Sequence, residues 1–244
     1  MVSSDLWNEE TAARYDEDAA QMFRPEVVDP TVEFLQRLAG PGPVVEFAIG
    51  TGRIGIPLMR RGVPVMGVEL SAPMAARLRE KVSATDLPVM IGDMTSTRVP
   101  GDFTLVYLLW NSLANLRQQS EQVACFRNAA RHLVPGGRFV IELFVPPLRR
   151  LPMGQTAVPF EVSEAHTGFD TIDVATQECD SHHYTRRPDG SLHYGVGHFR
   201  YVWPAECDLM AQLADLSLEA RFEDFDGRPF TSESEKHVSI WHKG

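Results

Sequence analysis

Cysteine is scarce: Cys125, Cys179 and Cys207 are the three, widely spaced, with no C-x-x-C pair. An odd number at irregular spacing argues against a disulfide framework and against a cysteine-rich zinc site, which fits a reducing compartment. Basic residues are outnumbered, 23 Lys and Arg against 33 Asp and Glu, for a formal net charge of −10. Gripping nucleic acid through its phosphates needs a basic face, so no nucleic-acid partner is expected. No apolar run reaches the roughly 20 residues of a membrane-spanning helix. Residues 1–10 have neither the basic start nor the apolar stretch of a secretory signal. These absences predict a cytoplasmic protein with no membrane partner. What is present is ordinary for a folded chain: 244 residues, 43% hydrophobic and 23% charged, enough for one domain with a full core, with or without a small appendage.

Along the chain, residues 7–39 have a helical pattern interrupted at Pro25, and Gly40-Pro41-Gly42-Pro43 stops it. Short apolar strands are then expected at 44–49, 63–70, 87–91, 103–109 and 138–144. Helices are expected at 51–61, 73–82 and 118–133, the last closed by Pro135-Gly136-Gly137. Ser71 is positioned as an N-cap with Pro73 in the first turn. Short buried strands alternating with helices predict a parallel sheet covered on both faces. After Val145-Pro146-Pro147 the texture changes. The stretches 171–178, 182–186 and 192–203 are rich in strand formers, Pro188-Asp189-Gly190 is suited to a tight turn, and no helix is expected between 160 and 203. This predicts an antiparallel insert. A helix at 204–214 and strands at 218–225 and 237–241 resume the α/β pattern.

The first strand runs into Glu46-Phe-Ala48-Ile-Gly50-Thr-Gly52-Arg53-Ile-Gly55. Glycines at a strand-to-helix turn let a ligand approach the backbone, and the helix N-terminus behind them favours negative groups. Gly50, Gly52 and Gly55 satisfy G-x-G-x-x-G with Glu69 roughly twenty residues on, so a NAD-dependent oxidoreductase is one reading. Three features favour another cofactor. Glu46 interrupts the strand with a carboxylate that a cationic ligand could use. Ile91-Gly92-Asp93-Met94 places an acidic and an apolar side chain after the third strand. His132-Leu-Val-Pro-Gly-Gly137 leads into the fifth.

With these four segments in order, residues 44–144 resemble a class I S-adenosylmethionine (SAM)-dependent methyltransferase, and the chain is similar in layout to small-molecule N-methyltransferases of the amino-sugar and glycine types. The family's first motif, acidic-x-Gly-x-Gly-x-Gly, reads here Glu46-Phe-Ala48-Ile-Gly50-Thr-Gly52, with Ala48 replacing the first glycine. The resemblance implies a Rossmann-like seven-stranded α/β sheet in the order 3-2-1-4-5-7-6 with strand 7 antiparallel. It divides the chain into a helical cap (1–40), a cofactor-binding core (41–147 and 204–244) and a β-rich lid (148–203). It implies that Glu69 holds the ribose hydroxyls and that Asp93 accepts from the adenine amino group with Met94 against the ring. Glu46, Ala48, Gly50, Gly52, Leu70, Met74 and Leu109 complete the cofactor surface, with Arg24 or Arg53 on the cofactor's carboxylate. S-adenosylhomocysteine (SAH) is the implied product.

Methyl transfer from a sulfonium is an in-line displacement that needs alignment and a dry pocket. Tyr15, in a cap segment that resembles those of small-molecule methyltransferases, is expected against the methionine end of the cofactor or the acceptor. Leu108-Leu109-Trp110-Asn111-Ser112 resembles the family's fourth motif, making Asn111 a candidate polar contact or a simple helix cap. Glu142 is either a pocket residue or a partnered core carboxylate. Histidines 166, 182, 183, 193 and 198 concentrate in the insert; His182 and His198 are candidate bases or acceptor contacts. Strand alternation puts His198 and Arg200 on one face and Phe199 and Tyr201 on the other, with Arg200 expected to face the substrate cavity. The irregular histidine spacing does not suit a metal site, and none is expected.

The leading expectation is methyl transfer to an amine nitrogen of a small molecule, which demands only proximity, a dry pocket and a deprotonated acceptor. Small-molecule O-methylation is the alternative; a NAD-dependent oxidoreductase and a non-enzymatic SAM-binding sensor are the readings from other classes. A homo-oligomer is left open. RNA base methylation is disfavoured because the Asn-Pro-Pro-aromatic motif is missing after strand 4.

Overall fold

The computed structural model describes residues 7–187 and 189–244. The secretory-signal reading of residues 1–10 falls largely outside the described residues, as does Pro188 of the expected turn. Helix α1 (Glu9–Asp18) begins at Asn8, whose side chain accepts from the Thr11 amide, and α2 (Pro25–Ala39) ends at Gly40 with φ 57°. A 3-10 turn, Ala20–Phe23, separates them. Arg24, preceding a proline, is extended, which supplies the interruption expected at Pro25.

Strand β1 (Val44–Phe47) is buried throughout, followed by α3 (Gly55–Arg60), β2 (Val65–Glu69), α4 (Ala72–Arg79), β3 (Val89–Ile91) and β4 (Phe103–Leu108). The helix expected at 51–61 starts only at Gly55, because Gly50 and Gly52 hold positive φ and extend the turn. Ser71 caps α4 as expected, its Oγ accepting from the Met74 amide at 3.2 Å. Helix α5 (Gln119–His132) passes directly into β5 (Leu133–Phe144). The Pro135-Gly136-Gly137 segment is therefore an irregularity within a strand: Leu133 pairs with Phe103, and regular pairing resumes at Arg138 with Leu105.

The insert forms β6 (Ala157–Val162), β7 (His166–Ile172), β8 (Glu178–Arg186) and β9 (Leu192–Arg200), an antiparallel sheet in sequence order. The strand expected at 171–178 is mostly a turn, since the Asp173 carboxylate accepts from the Ala175 and Thr176 amides at 2.8 and 3.2 Å and bends the chain. Helix α6 (Pro204–Gln212), β10 (Leu216–Phe222) and β11 (Lys236–Lys243) follow.

The main sheet has the order β3-β2-β1-β4-β5-β11-β10, with β11 antiparallel to both neighbours. This is the 3-2-1-4-5-7-6 arrangement, β11 serving as strand 7. Two apolar layers cover it. One sets Phe126 of α5 and Met210 of α6 against Phe139 and Trp241; the other sets Leu35 of α2 and Leu58 of α3 against Val65 and Leu105. Strand β1 pairs with β2 on one side and β4 on the other, so the chain reverses direction across the sheet there. That switch opens a crevice at the carboxyl ends of the strands. No helix among the described residues is long and apolar enough to cross a membrane.

Candidate active site

A cavity of about 830 Å³ lies at that crevice and continues under the insert sheet. Ala48, Gly50, Glu69, Leu70, Met74, Asp93, Met94 and Asn111 line it from the core, and Tyr15 lines it from the cap. Ala48 and Gly50 take φ of 52° and 58°, turning their peptides toward the cavity. For a residue with a Cβ, this left-handed conformation costs roughly 1–2 kcal/mol, so Ala48 is held against its preference. At Gly52 the restriction is steric as well, since a Cβ would lie 2.7 Å from the Ile56 side chain.

Glu69 is fixed by two backbone donors: Gly50 N–H to Oε2 at 2.7 Å and Ser71 N–H to Oε1 at 2.8 Å. Burial raises its pKa, and these amides oppose the rise. The spare lone pairs of both oxygens are free to accept further donors from the cavity. Asp93 shapes its own loop by accepting from the Thr95 amide at 2.7 Å. Asn128 of α5 anchors the same loop, donating to the carbonyls of Met94 and Thr97 at 2.9 Å each.

After β4, Trp110 and Asn111 take consecutive left-handed conformations, φ 53° and 55°. For a tryptophan this is strained, and Glu142 enforces it. Its carboxylate accepts from the Trp110 amide at 3.0 Å and its carbonyl from the Asn111 amide at 3.1 Å. Asn111 Oδ1 in turn accepts from the Phe144 amide at 3.3 Å. Glu142 is thus a partnered, buried carboxylate that shapes the pocket wall without lining it.

The cap is latched to the core. Thr51 donates to Asp16 at 2.6 Å, Lys81 pairs with Asp16 and donates to the Thr51 carbonyl at 3.0 Å, and Ser71 Oγ donates to the Trp7 carbonyl at 2.6 Å. The latch sets Tyr15 over the cavity with Trp7 edge-on to it at 5.7 Å between ring centroids. Burial raises the Tyr15 pKa.

Several expected positions need correction. Strand alternation in the insert is as expected, but the opposite face meets the cavity: Cys179, Ser181 and His183 of β8 and Phe199 beyond them on β9 line it, with Tyr201 following. His182 therefore points outward, stacked on Phe169 at 4.8 Å and bonded to the Tyr194 hydroxyl at 2.7 Å. His198 also points away and pairs with Asp180 at 2.6 Å. Arg200 is buried behind the sheet, donating to Gln122 at 2.6 Å and to Gln177 and Glu206 at 2.8 Å each, where it ties β9 to α5 and α6. Glu46 lies behind the glycine turn, accepting from the Tyr107 hydroxyl at 3.0 Å and from the Gly55 amide. Burial pushes its carboxyl up to about 8. Gly52 and Leu109 pack into the interior, and Arg24 is exposed at the start of α2. Arg53 stands at the rim, its guanidinium 5.4 Å from the centre of the Trp110 ring. Sequence reasoning missed Asp170, Ser181 and His183; the alternation was legible, but not which face turns inward.

The cavity suits SAM. Two carboxylates, Glu69 and Asp93, project from the ends of neighbouring strands, Met74 and Met94 offer flat apolar contacts, and at Gly50 the nearest side-chain atom to a hypothetical Cβ is 3.5 Å away. Its volume falls within the roughly 300–1,000 Å³ of small-molecule sites. Together the sheet order and this pocket define a class I SAM-dependent methyltransferase. Residues 44–137 match the family described as "Methyltransferase domain". The fold is similar to the CcbJ methyltransferase from Streptomyces caelestis, with a TM-score of 0.80 and 34% identity over 88% of each chain. The cypemycin N-terminal methyltransferase from a Streptomyces species is 26% identical over 202 residues, 81% of each chain. SAM-bound CalS10, an amino pentose methyltransferase from Micromonospora echinaspora, shares the fold at a TM-score of 0.68 and 18% identity, covering 88% of this chain and 89% of that one. The chain belongs to the SAM-dependent methyltransferases, and SAM is its cofactor.

Proposed function

We propose that this enzyme methylates a nitrogen of a small, amine-bearing metabolite. The observation that carries this reading is the acceptor half of the cavity. It is walled by Phe160, Phe199 and Tyr201 and carries the carboxylate of Asp170 beside the imidazole of His183. An acidic group in an apolar wall suits a ligand that arrives as an ammonium ion. The N-terminal methyltransferase of cypemycin, similar over four-fifths of the chain, supports the same acceptor atom.

In this reading residues 1–40 act as cap, 148–203 as substrate lid, and 41–147 with 204–244 as cofactor core. Glu69 holds the ribose hydroxyls, Asp93 accepts from the adenine amino group, and Met74, Met94 and Leu70 flank the adenosine. Gly50 and Ala48 present backbone to the methionine portion. Tyr15 and Asn111 align acceptor and methyl group, and the latched cap with the lid sheet excludes water. The cofactor supplies an electrophilic methyl group on a sulfonium. The protein's task is to position a neutral nitrogen in line with it.

The test is a methyl-transfer assay over matched amine, alcohol and carboxylate acceptors, with mass spectrometry locating the added methyl. Turnover of amines supports the proposal; turnover confined to hydroxyl or carboxyl acceptors replaces it with O-methylation.

A further inference from the structure

An unbroken chain of hydrogen-bonding groups runs from the cavity wall to the surface of the lid. Asp170 and Ser181 line the cavity and hydrogen-bond to each other. Ser181 Oγ is 3.2 Å from Nε2 of His183; Nδ1 of His183 is 3.1 Å from Nε2 of His166; Nδ1 of His166 is 3.0 Å from Oε2 of Glu161. The imidazole rings lie within 26° of parallel, so the shared nitrogen–nitrogen bond is nearly in both ring planes. Glu161 is about half exposed, with its side chain at 51%.

With both rings neutral, the partners dictate the hydrogens. The Glu161 carboxylate only accepts, so His166 carries its proton on Nδ1. Its Nε2 then accepts from Nδ1–H of His183, which leaves Nε2 of His183 an acceptor facing Ser181. While Asp170 is ionised, the single Ser181 hydroxyl proton goes to its carboxylate. Once Asp170 carries a proton, its O–H donates to Ser181, the hydroxyl turns to Nε2 of His183, and every donor then points outward, as stepwise proton transfer needs. The surroundings are built for it. A Cβ on Gly168 would lie 2.1 Å from Phe160, so only glycine leaves room for that ring, which covers His183 at 5.3 Å and His166 at 6.2 Å. The titratable neighbours are Glu161 on β6, His166 and Asp170 on β7, and Cys179 and His182 on β8, with Glu121 of α5 also lining the cavity. Burial raises the Asp170 pKa and lowers that of His183, favouring the neutral ring.

We propose that Asp170 takes the proton of the acceptor ammonium and that Ser181, His183 and His166 conduct it to Glu161 and water. The proposal rests on nitrogen being the acceptor. The ammonium gives one proton to the Asp170 carboxylate and becomes an amine. Its lone pair forms the nitrogen–carbon bond as the carbon–sulfur bond breaks, with that electron pair staying on sulfur. The nitrogen regains positive charge, and one proton leaves through the relay per methyl transferred. Asp170 is the catalytic residue; Ser181, His183 and His166 act through it.

Long-range 1H–15N spectra of the whole protein read the imidazole tautomers with no acceptor present. The neutral rings of His166 and His183 are both expected as the Nδ1–H tautomer; a His183 protonated on Nε2 or on both nitrogens overturns the relay. Kinetics use the best amine from the acceptor assay. In Asp170→Asn the kcat/KM at neutral pH falls about 100-fold, and its rising limb moves up to the pKa of the free amine, where the variant approaches wild type. His183→Phe and His166→Phe shift the limb the same way, and SAH affinity stays at the wild-type value in all three. Loss of rate by an equal factor at every pH, or an unshifted limb, overturns the relay while leaving N-methylation standing. If only hydroxyl acceptors turn over, the nitrogen reading falls and the spectra alone still judge the hydrogen-bond chain.

Discussion

Glu46 makes a quantitative demand on the fold. Its carboxyl is 5% exposed and lies in the core layer between Tyr107 and the first turn of α3. Burial lifts its pKa from 4.5 to about 8, and the Tyr107 and Gly55 donors only partly oppose this. A pKa raised in the folded state means that folding takes up a proton. The stabilising contribution is complete below the unfolded value near 4.5 and is lost as pH rises through about 8. At about 1.36 kcal/mol per pKa unit, the full loss is about 5 kcal/mol. Against a typical total of about 5–15 kcal/mol, that is a large fraction. Glu46→Gln keeps the shape and an acceptor for Tyr107 but removes the titration. Urea unfolding of both proteins at about pH 5 and about pH 9 isolates the effect, because every other titrating group cancels in the difference. Relative to the variant, wild type is expected to lose about 4 kcal/mol between those two pH values. A difference that stays constant with pH would refute the reasoning, because it would mean that Glu46 is ionised in the folded protein.

The remaining predictions test other parts of the site. Glu69→Ala removes the acceptor that two backbone amides organise, and SAH affinity measured by calorimetry should fall about 10- to 150-fold, in line with about 1.5–3 kcal/mol for hydrogen bonds to a charged group; Glu69→Gln should lose less. Glu142→Ala leaves the Trp110 amide without its carboxylate partner and releases the strained 110–111 turn, so urea unfolding should show a loss of about 1–3 kcal/mol together with reduced turnover. His237 is buried with its pKa lowered to about 3, so it folds neutral; stability should fall by about 1.4 kcal/mol per pH unit as pH drops from about 6.5 toward 3, and His237→Gln should flatten that slope. Lys81→Met cuts the cap latch; because the Lys81–Asp16 pair is about one-third exposed, global stability should change by less than about 1 kcal/mol, while stopped-flow measurements should show faster SAH dissociation.

How much of this was legible in the sequence follows from which physical rules are local. The core strands were legible because burial on both faces forces short continuous apolar runs, and the glycine turn, Glu69 and Asp93 sit at fixed offsets from strand ends. The sheet order came from the family resemblance, not from periodicity. The boundaries that moved were those set by particular side-chain or backbone conformations: the Asp173 turn and the late start of α3 after Gly52.

The residues misassigned on the insert sheet share one cause. A strand's alternation fixes which side chains share a face, but which face turns inward depends on how the sheet docks against the rest of the molecule. His198 and Arg200 were correctly grouped, yet the docking of β9 turns Phe199 and Tyr201 toward the cavity. Once that parity is set, it carries across the neighbouring strands through the register. Cys179 opposite Phe199 and Ile172 opposite Cys179 bring Asp170, Ser181 and His183 onto the same inward face, and send His182 outward with Phe169 and Tyr194. One docking orientation therefore decides these assignments together. It also explains why the residues of this sheet that meet the cavity could not be read position by position.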